Sequence, residues 1–229
     1  MARPLHVLSS MATREVLREL ALRYASVASK AVVTEAAGGI DVAKRVERSD
    51  ELEIIVLAAN VIERLIEQRK ILAGSRVDLV RSGVAVAVPA GAPKPNIATE
   101  QAVRRAVQNA KAISYSTGPS GAHLERTFAR WGILEEIRPR IAVPPPGVPV
   151  ASLIADGTAE LGFQQLSELM NVAGVEVVGP LPKALELVTT FSGAIAANCS
   201  RPDEARALLA FMASPAVGDV KRRHGLEPA

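Results

Sequence analysis

The feature that most limits the fold is a regular alternation of short apolar runs with amphipathic runs. Three pairs open the chain: "LHVLSS" before "TREVLRELALRYASV", "AVVTEAA" before "GIDVAKRVERSD", and "LEIIVLAA" before "NVIERLIEQRKIL". Apolar runs of this length are typical of buried strands, and the amphipathic runs are typical of helices. Consecutive strand–helix units predict a parallel sheet with right-handed crossovers. Asn60 is the predicted cap of the third helix.

The alternation breaks at two long strand-like runs. "VDLVRSGVAVAVPAGAPKP" (77–95) and "LELVTTFSGAIAAN" (185–198) contain no helical pattern. Between them the alternation resumes, with a helix predicted at 120–132 and a strand at "RIAVPP" (140–145). We therefore expect an α/β fold of two lobes, joined by two crossing strands around a central cleft. The expected lobes are 1–81 plus 191–229, and 82–190.

Composition excludes several classes of protein. Of the 229 residues, 48% are hydrophobic but only 3% are aromatic, which predicts an aliphatic core of α/β type. The net charge of +3 is spread among carboxylates, so a nucleic-acid partner is not indicated. No apolar run approaches the roughly 20 residues of a membrane span. Three dispersed histidines and the single Cys199 predict neither a metal site nor an intramolecular disulfide.

The segment "AISYSTGPSGAHLERTF" (112–128) joins a predicted strand to a predicted helix through six small residues. Ligands of open α/β sheets lie at the carboxyl ends of strands, where helix starts present unpaired N–H groups and a positive dipole end. Glycines allow close approach of the backbone, and hydroxyls donate hydrogen bonds. The segment therefore predicts a binding site for an anion, the alternative being a plain turn with Ser120 as helix cap.

The other predicted strand ends carry residues of the same small or polar kind. Ser9 and Ser10 end the first strand. Arg81 lies in the first crossing run, where it could bind a carboxylate through two of its N–H groups, the alternative being a surface ion pair. The full set of predicted ligand-binding residues is Ser9, Ser10, Gly38, Gly39, Asn60, Arg81, Ser82, Ser116, Gly118, Ser120, Gly121, Val148, Val150, Gln164 and Gln165.

Two quoted stretches, "LHVLSSMATREVL" and "AELGFQQLSEL", together with the element order, resemble the type II periplasmic solute-binding fold in its molybdate-binding-like branch. The resemblance implies an oxyanion held by hydroxyls of the first lobe, helix-start amides of the second lobe, and a tyrosine. Ser9 or Ser10 matches the first hydroxyl, and Ser120-Gly121 and 148–150 match the amides. Gly38-Gly39 replaces the second hydroxyl, and Gln164 or Gln165 replaces the tyrosine.

These replacements favour a larger organic anion, such as a di- or tricarboxylate, over molybdate. The stretch 81–116 also resembles the subset that includes aconitate isomerases, which implies a second possibility, a proton shift on an unsaturated acid. His123 is then the candidate base, with Glu125 and Glu168 as further candidates. A LysR-type effector domain shares the fold, but the chain lacks the DNA-binding helices that precede it in such regulators.

No cofactor is expected, because the chain carries no GxGxxG or phosphate-binding lysine motif. The expected partner is a small anion. If Met1 is native, the expected compartment is the cytoplasm; if a leader was removed, it is the periplasm. In the second case an ABC-transporter membrane component would be a further partner.

Overall fold

The computed structural model describes residues 3–48, 52–145 and 147–229. Met1, the end of the predicted second helix at Ser49 and Asp50, and Pro146 of "PPPGVPV" lie outside this range. The chain folds as two compact units: one comprises the residues up to Ser82 together with Thr189–Ala229, and the other is Gly83–Val188.

Strands and helices alternate along most of the chain. The strands are β1 (Leu5–Ser10), β2 (Val32–Ala37), β3 (Ile54–Ala58), β4 (Val77–Pro89), β5 (Ile113–Tyr115), β6 (Leu161–Gln165), β7 (Val175–Pro180), β8 (Val188–Ile195) and β9 (Glu227–Pro228). The helices are α1 (Arg14–Ala28), α2 (Gly39–Glu47), α3 (Ala59–Glu67), α4 (Glu100–Asn109), α5 (Pro119–Arg130), α6 (Leu134–Ile137), α7 (Val150–Ala155), α8 (Leu166–Leu169), α9 (Pro202–Ala213) and α10 (Gly218–Arg223).

The first unit is built on a largely parallel sheet, as its sequence predicts. β1 lies between β2 and β3 and is parallel to both. Ser10 pairs with Ala37, and Ser9 pairs with Val56, so the carboxyl ends of the three strands meet at one edge. β8 returns beside β3 in the antiparallel direction, and β9 pairs with the first half of β4.

Each face of this sheet is covered by its own apolar layer. Because successive strand residues point to opposite faces, Val7 packs toward α1 and α9, whereas Leu8 packs toward α2 and α3. Both side chains are fully buried. The helices therefore lie on both faces of the sheet.

The second unit has a smaller sheet, in which β6 pairs in parallel with β5 and antiparallel with β4. β7 also pairs with β4. Alternation again separates two layers, with Val86 in one and Ala87 in the other. Phe128 is fully buried and its ring contacts those of Tyr115, Trp131 and Phe163 at centroid distances of 5.7–6.2 Å.

The strand predicted at 140–145 is wrong. The segment Arg138–Arg140 is a turn of 3-10 helix, and Ile141 makes only an isolated bridge to Ile113. Prolines at 144 and 145 lack the N–H that a strand must donate. The first crossing run is also shorter than predicted, because β4 ends at Pro89. The two-residue β9 carried no signal that the sequence analysis recognised.

Lys221 of α10 is almost fully buried, at 1% exposure, and its Nζ donates to the Leu79 carbonyl at 2.9 Å. Burial lowers the pKa of this ammonium below its usual value. The unfolded chain therefore binds the proton more tightly than the folded chain. The buried charge therefore lowers the free energy of unfolding at neutral pH. This loss disappears as the pH rises toward about 10.4, the ordinary pKa of lysine.

A Lys221→Met variant, which keeps the length of the side chain, should be more stable than the wild type at pH 7. The advantage should shrink as the pH approaches 10, because the wild-type amine loses its proton while methionine does not titrate. Urea unfolding at pH 7, 8.5 and 10, followed by circular dichroism, measures this. An advantage that stays constant with pH would contradict the assignment of the penalty to a buried charge.

Candidate ligand-binding site

At the end of β1, the two serines differ in their hydrogen bonding. Ser9 is 1% exposed, and its Oγ donates to the Glu35 carbonyl at 3.3 Å. Ser10 is 7% exposed, and its Oγ has no hydrogen-bond partner among the described residues. A buried hydroxyl without a partner costs about 1–3 kcal/mol relative to a satisfied one. Ser10, rather than Ser9, is therefore the hydroxyl available to a ligand.

Gly38 and Gly39 lie beside Ser10. α2 begins at Gly39, and the Gly38 carbonyl accepts the Val42 N–H at 2.9 Å. A Cβ placed on Gly39 would stand 3.9 Å from the Cβ of Ser10, so the two residues are neighbours at the carboxyl edge. The first N–H groups of a helix have no acceptor within it. Ser10, Gly38 and Gly39 form what we call the strand-end set.

Asn60 does not cap α3, so that prediction is wrong. The helix begins one residue earlier, at Ala59, with Ala58 as its N-cap, and Asn60 is an exposed residue of the first turn. Ala58 provides extended backbone geometry without a side-chain bond. The sequence signal failed because the helix extends one residue ahead of the asparagine.

The two predicted residues of the first crossing strand have different environments. Arg81 is exposed, and its Nη2 donates to the Pro228 carbonyl of β9 at 3.2 Å. This contact places its guanidinium at the C-terminal strand, and no contact among the described residues joins it to the strand-end set. Ser82 is 1% exposed, and its Oγ has no partner among the described residues.

In the second unit, the opening of α5 has a defined local structure. Gly118 is the N-cap, and the helix starts at Pro119, one residue before the predicted start. Ser120 is therefore not the cap. The Oγ atoms of Ser116 and Ser120 are 2.8 Å apart, and Ser120 is buried. Their spacing of four residues was a signal for this pair that the sequence analysis did not use.

Gly121 is required by packing. A Cβ at this position would lie 1.6 Å from the Ser116 carbonyl oxygen and 3.1 Å from a ring carbon of Tyr115. Only glycine lets the first turn of α5 approach the end of β5 this closely. Ser116, Gly118, Ser120 and Gly121 form the helix-start set.

The predicted amide donors at 148–150 are only partly available. The Val148 N–H donates to the Pro145 carbonyl at 3.0 Å, so this amide closes a turn and is not free for a ligand. Val150 is the first residue of α7 and is fully buried. The Pro-Gly dipeptide before Val148 was a sequence signal for this turn.

The two glutamines at the end of β6 have separate roles. Gln164 is 3% exposed; its Oε1 accepts the Ala151 N–H at 3.3 Å, and its Nε2 donates to Glu168 at 2.8 Å. The two ends of this amide thus join the first turn of α7 to α8. Gln165 is also buried, pairs with Val84 in the sheet, and forms the N-cap of α8.

His123 lies one turn into α5 and is half-buried. Its pKa is lowered by burial first and then by Arg126 and Arg130, so the ring is neutral at pH 7 and can accept a proton.

The Tyr115 hydroxyl donates to Glu125 at 2.9 Å. Burial, followed by this carboxylate, raises the pKa of Tyr115 well above its usual value. Glu125 and Glu168 thus each accept a hydrogen bond from a neighbouring side chain.

Within residues 3–48, 52–145 and 147–229, no group of three or more His, Cys, Asp or Glu side chains is placed to hold a metal ion. Over the same residues, no helix combines the length and apolar character needed to cross a bilayer.

The two α/β units and the donors at their strand and helix ends are typical of solute-binding proteins. Residues 5–227 match the family model described as bacterial extracellular solute-binding protein. The chain belongs to this family.

Several proteins are similar to the whole chain. Aconitate isomerase of a Pseudomonas species is 32% identical over 230 residues, which cover 98% of this chain and 87% of that protein. The periplasmic molybdate-binding protein of Azotobacter vinelandii superposes with a TM-score of 0.80 at 21% identity, over 97% of this chain and 98% of the other. The sulfate-binding protein of Mycobacterium tuberculosis gives 0.80 at 14% identity, over 100% and 88%. The predicted family and fold class are thereby confirmed.

Proposed function

We propose that the chain binds a small organic anion, a di- or tricarboxylate, at the strand-end set. The observation that carries the proposal is the Ser10 hydroxyl, which is buried yet has no partner among the described residues. It lies beside the start of α2, where N–H groups and the helix dipole favour a negative charge. A ligand oxygen would satisfy this hydroxyl.

Two glycines, Gly38 and Gly39, stand where the family resemblance places a second hydroxyl, and this supports a carboxylate over a compact oxyanion. Gly38 and Gly39 provide space and backbone N–H groups but no side-chain donor. Three or four oxygens on separate arms of a larger ligand can reach donors that a single tetrahedral ion cannot. Relatives that bind molybdate and sulfate support the coarser class, a small-anion binder.

Isothermal titration with citrate, tricarballylate, trans-aconitate, succinate, sulfate and molybdate tests the proposal. We expect binding of at least one tricarboxylate, with affinity lowered about 10- to 150-fold by Ser10→Ala, since one charge-assisted hydrogen bond contributes roughly 1.5–3 kcal/mol. Ser9→Ala is the matched control, although it removes the bond to Glu35. Heat with molybdate or sulfate and none with any organic acid would contradict the carboxylate assignment.

A second candidate is an isomerase, and the similarity to aconitate isomerase over 98% of the chain favours it. In this reaction a base removes a proton from the methylene carbon of the acid. The electrons of that C–H bond form a new double bond, and the far carbon of the old double bond takes up a proton. The neutral ring of His123 has the protonation state that the base requires, and helix-start N–H groups would stabilise the enolate-like charge.

The ultraviolet absorbance of trans-aconitate, followed after addition of the protein, tests the isomerase. If His123 is the base, we expect His123→Gln to slow the reaction by 10²–10⁴. Because the pKa of His123 is lowered, the wild-type rate should stay high down to pH values below about 6.5. His224→Gln, in the first unit, is the control. An isomer ratio that stays unchanged for hours would leave only the binding function.

The compartment and the transport partner are proposals that follow from the family. An exported solute-binding protein delivers its ligand to a membrane component, here of the ABC-transporter class. Fractionation of cells that express the chain from its natural gene, with detection by antibody, tests export.

A further inference from the structure

Gly39 has no conformational or steric reason to be glycine. Its φ lies outside the left-handed region, and the nearest atoms to a Cβ placed there are a Leu57 methyl carbon and the Cβ of Ser10, both at 3.9 Å. In contrast, a Cβ on Gly162 or Gly193 would meet a side chain at 2.3 or 2.4 Å. An added methyl group would therefore have to displace a neighbouring side chain at those two positions, whereas residue 39 has room for it.

Keeping glycine at the first position of a helix works against stability. Glycine loses more conformational freedom on folding than alanine does, and α2 is an otherwise ordinary helix with Val42, Ala43 and Val46 buried. The exposed Gly39 adjoins Ser10, which is 7% exposed and whose hydroxyl lacks a partner among the described residues. Two unfavourable features thus coincide at one place, which indicates that the empty volume serves a ligand.

We propose that the missing side chain at residue 39 sets the size of ligand that the strand-end set accepts. The inference rests on the proposed function and adds the residue that selects between ligands. An arm of a branched carboxylic acid would lie against the Gly39 backbone, with its carboxylate toward the Ser10 hydroxyl and the first N–H groups of α2. A methyl group at residue 39 would occupy the space of that arm. A shorter acid leaves this space empty and is affected less.

The test compares the wild type, Gly39→Ala and a matched control in titrations with tricarballylate and succinate. Tricarballylate is saturated, so no isomerisation can interfere with the measurement. The control is Gly218→Ala, because Gly218 is also the first residue of a helix of this unit and has its nearest atoms at 3.5 Å. Melting temperatures of all three proteins report on the fold.

We expect Gly39→Ala to raise the Kd of tricarballylate at least tenfold, and that of succinate less than threefold, with no fall in Tm. Gly218→Ala should change neither Kd. Equal changes for both acids, an unchanged Kd for tricarballylate, or a lower Tm in Gly39→Ala would overturn the inference while the proposed function stands. A wild type that binds neither acid but does bind sulfate, or binds no anion at all, would overturn both.

Discussion

A Gly121→Ala variant will lose at least about 3 kcal/mol of unfolding free energy, at the upper end of what overpacking usually costs. The added methyl carbon would overlap the Ser116 carbonyl oxygen at 1.6 Å. Both groups are backbone-anchored, so no rotation of a side chain can relieve the contact. The first turn of α5 must move away from the end of β5, and the Ser116–Ser120 hydroxyl pair will separate with it.

Fluorescence of Trp131, the single tryptophan of the chain, measures this in urea, since the residue packs against Phe128 in the same unit. Gly83→Ala is the control, because no atom lies within 4 Å of a Cβ at that position. A loss below about 1 kcal/mol for Gly121→Ala would mean that the helix start adapts easily, which contradicts a rigid helix-start set.

Replacing Arg201 by alanine should cost about 3–5 kcal/mol, the usual penalty for leaving one partner of a buried ion pair behind. Glu53 is 5% exposed, and its Oε1 accepts from Arg201 at 2.5 and 2.9 Å, while its Oε2 accepts the His6 N–H at 2.7 Å. Arg201 also donates to the carbonyls of Arg3 and Pro4. The pair therefore attaches the beginning of β1 to the segment before α9.

Urea unfolding followed by circular dichroism gives the cost, with Arg206→Ala on the exposed side of α9 as control. The double variant Glu53→Gln with Arg201→Ala should be less damaged than Arg201→Ala, because the uncompensated buried charge is then absent. If the double variant is the less stable of the two, the pair contributes through packing and not through charge.

The strands and helices of the first unit were predictable because the apolar pattern of each run matches the faces that it buries in the fold. Runs such as "LHVLSS" are buried on both faces of the sheet, so continuous apolar character marks the strand. The prediction failed at 140–145, where two prolines override an apolar run, and at Asn60, where a helix accepts alanine backbone geometry as its cap. At 140–145 the prolines lack the N–H groups that a strand donates, and α3 begins without a side-chain cap.

The candidate residues could be named by type from the sequence, but their hydrogen bonds could not. Ser10 ends β1, Gly39 begins α2, and Ser120 lies in the first turn of α5. Which donor is already used depends on partners far away in sequence: Gln164 reaches Ala151 thirteen residues earlier, and Ser9 reaches the Glu35 carbonyl. No local pattern distinguishes Ser9 from Ser10, because the carbonyl that accepts the Ser9 hydrogen bond belongs to Glu35 of the neighbouring strand β2.

The pairing of β3 with β8 has a consequence for how the chain is made. Residues 54–58 need residues 191–195 as their neighbours, and these leave the ribosome more than 130 residues later, after the whole of Gly83–Val188. During that interval the apolar run "IIVLA" has one unpaired edge, which favours aggregation. The contiguous unit can fold during synthesis, whereas the split one is completed only at the end, so folding assistance would be needed most while the second unit is being translated.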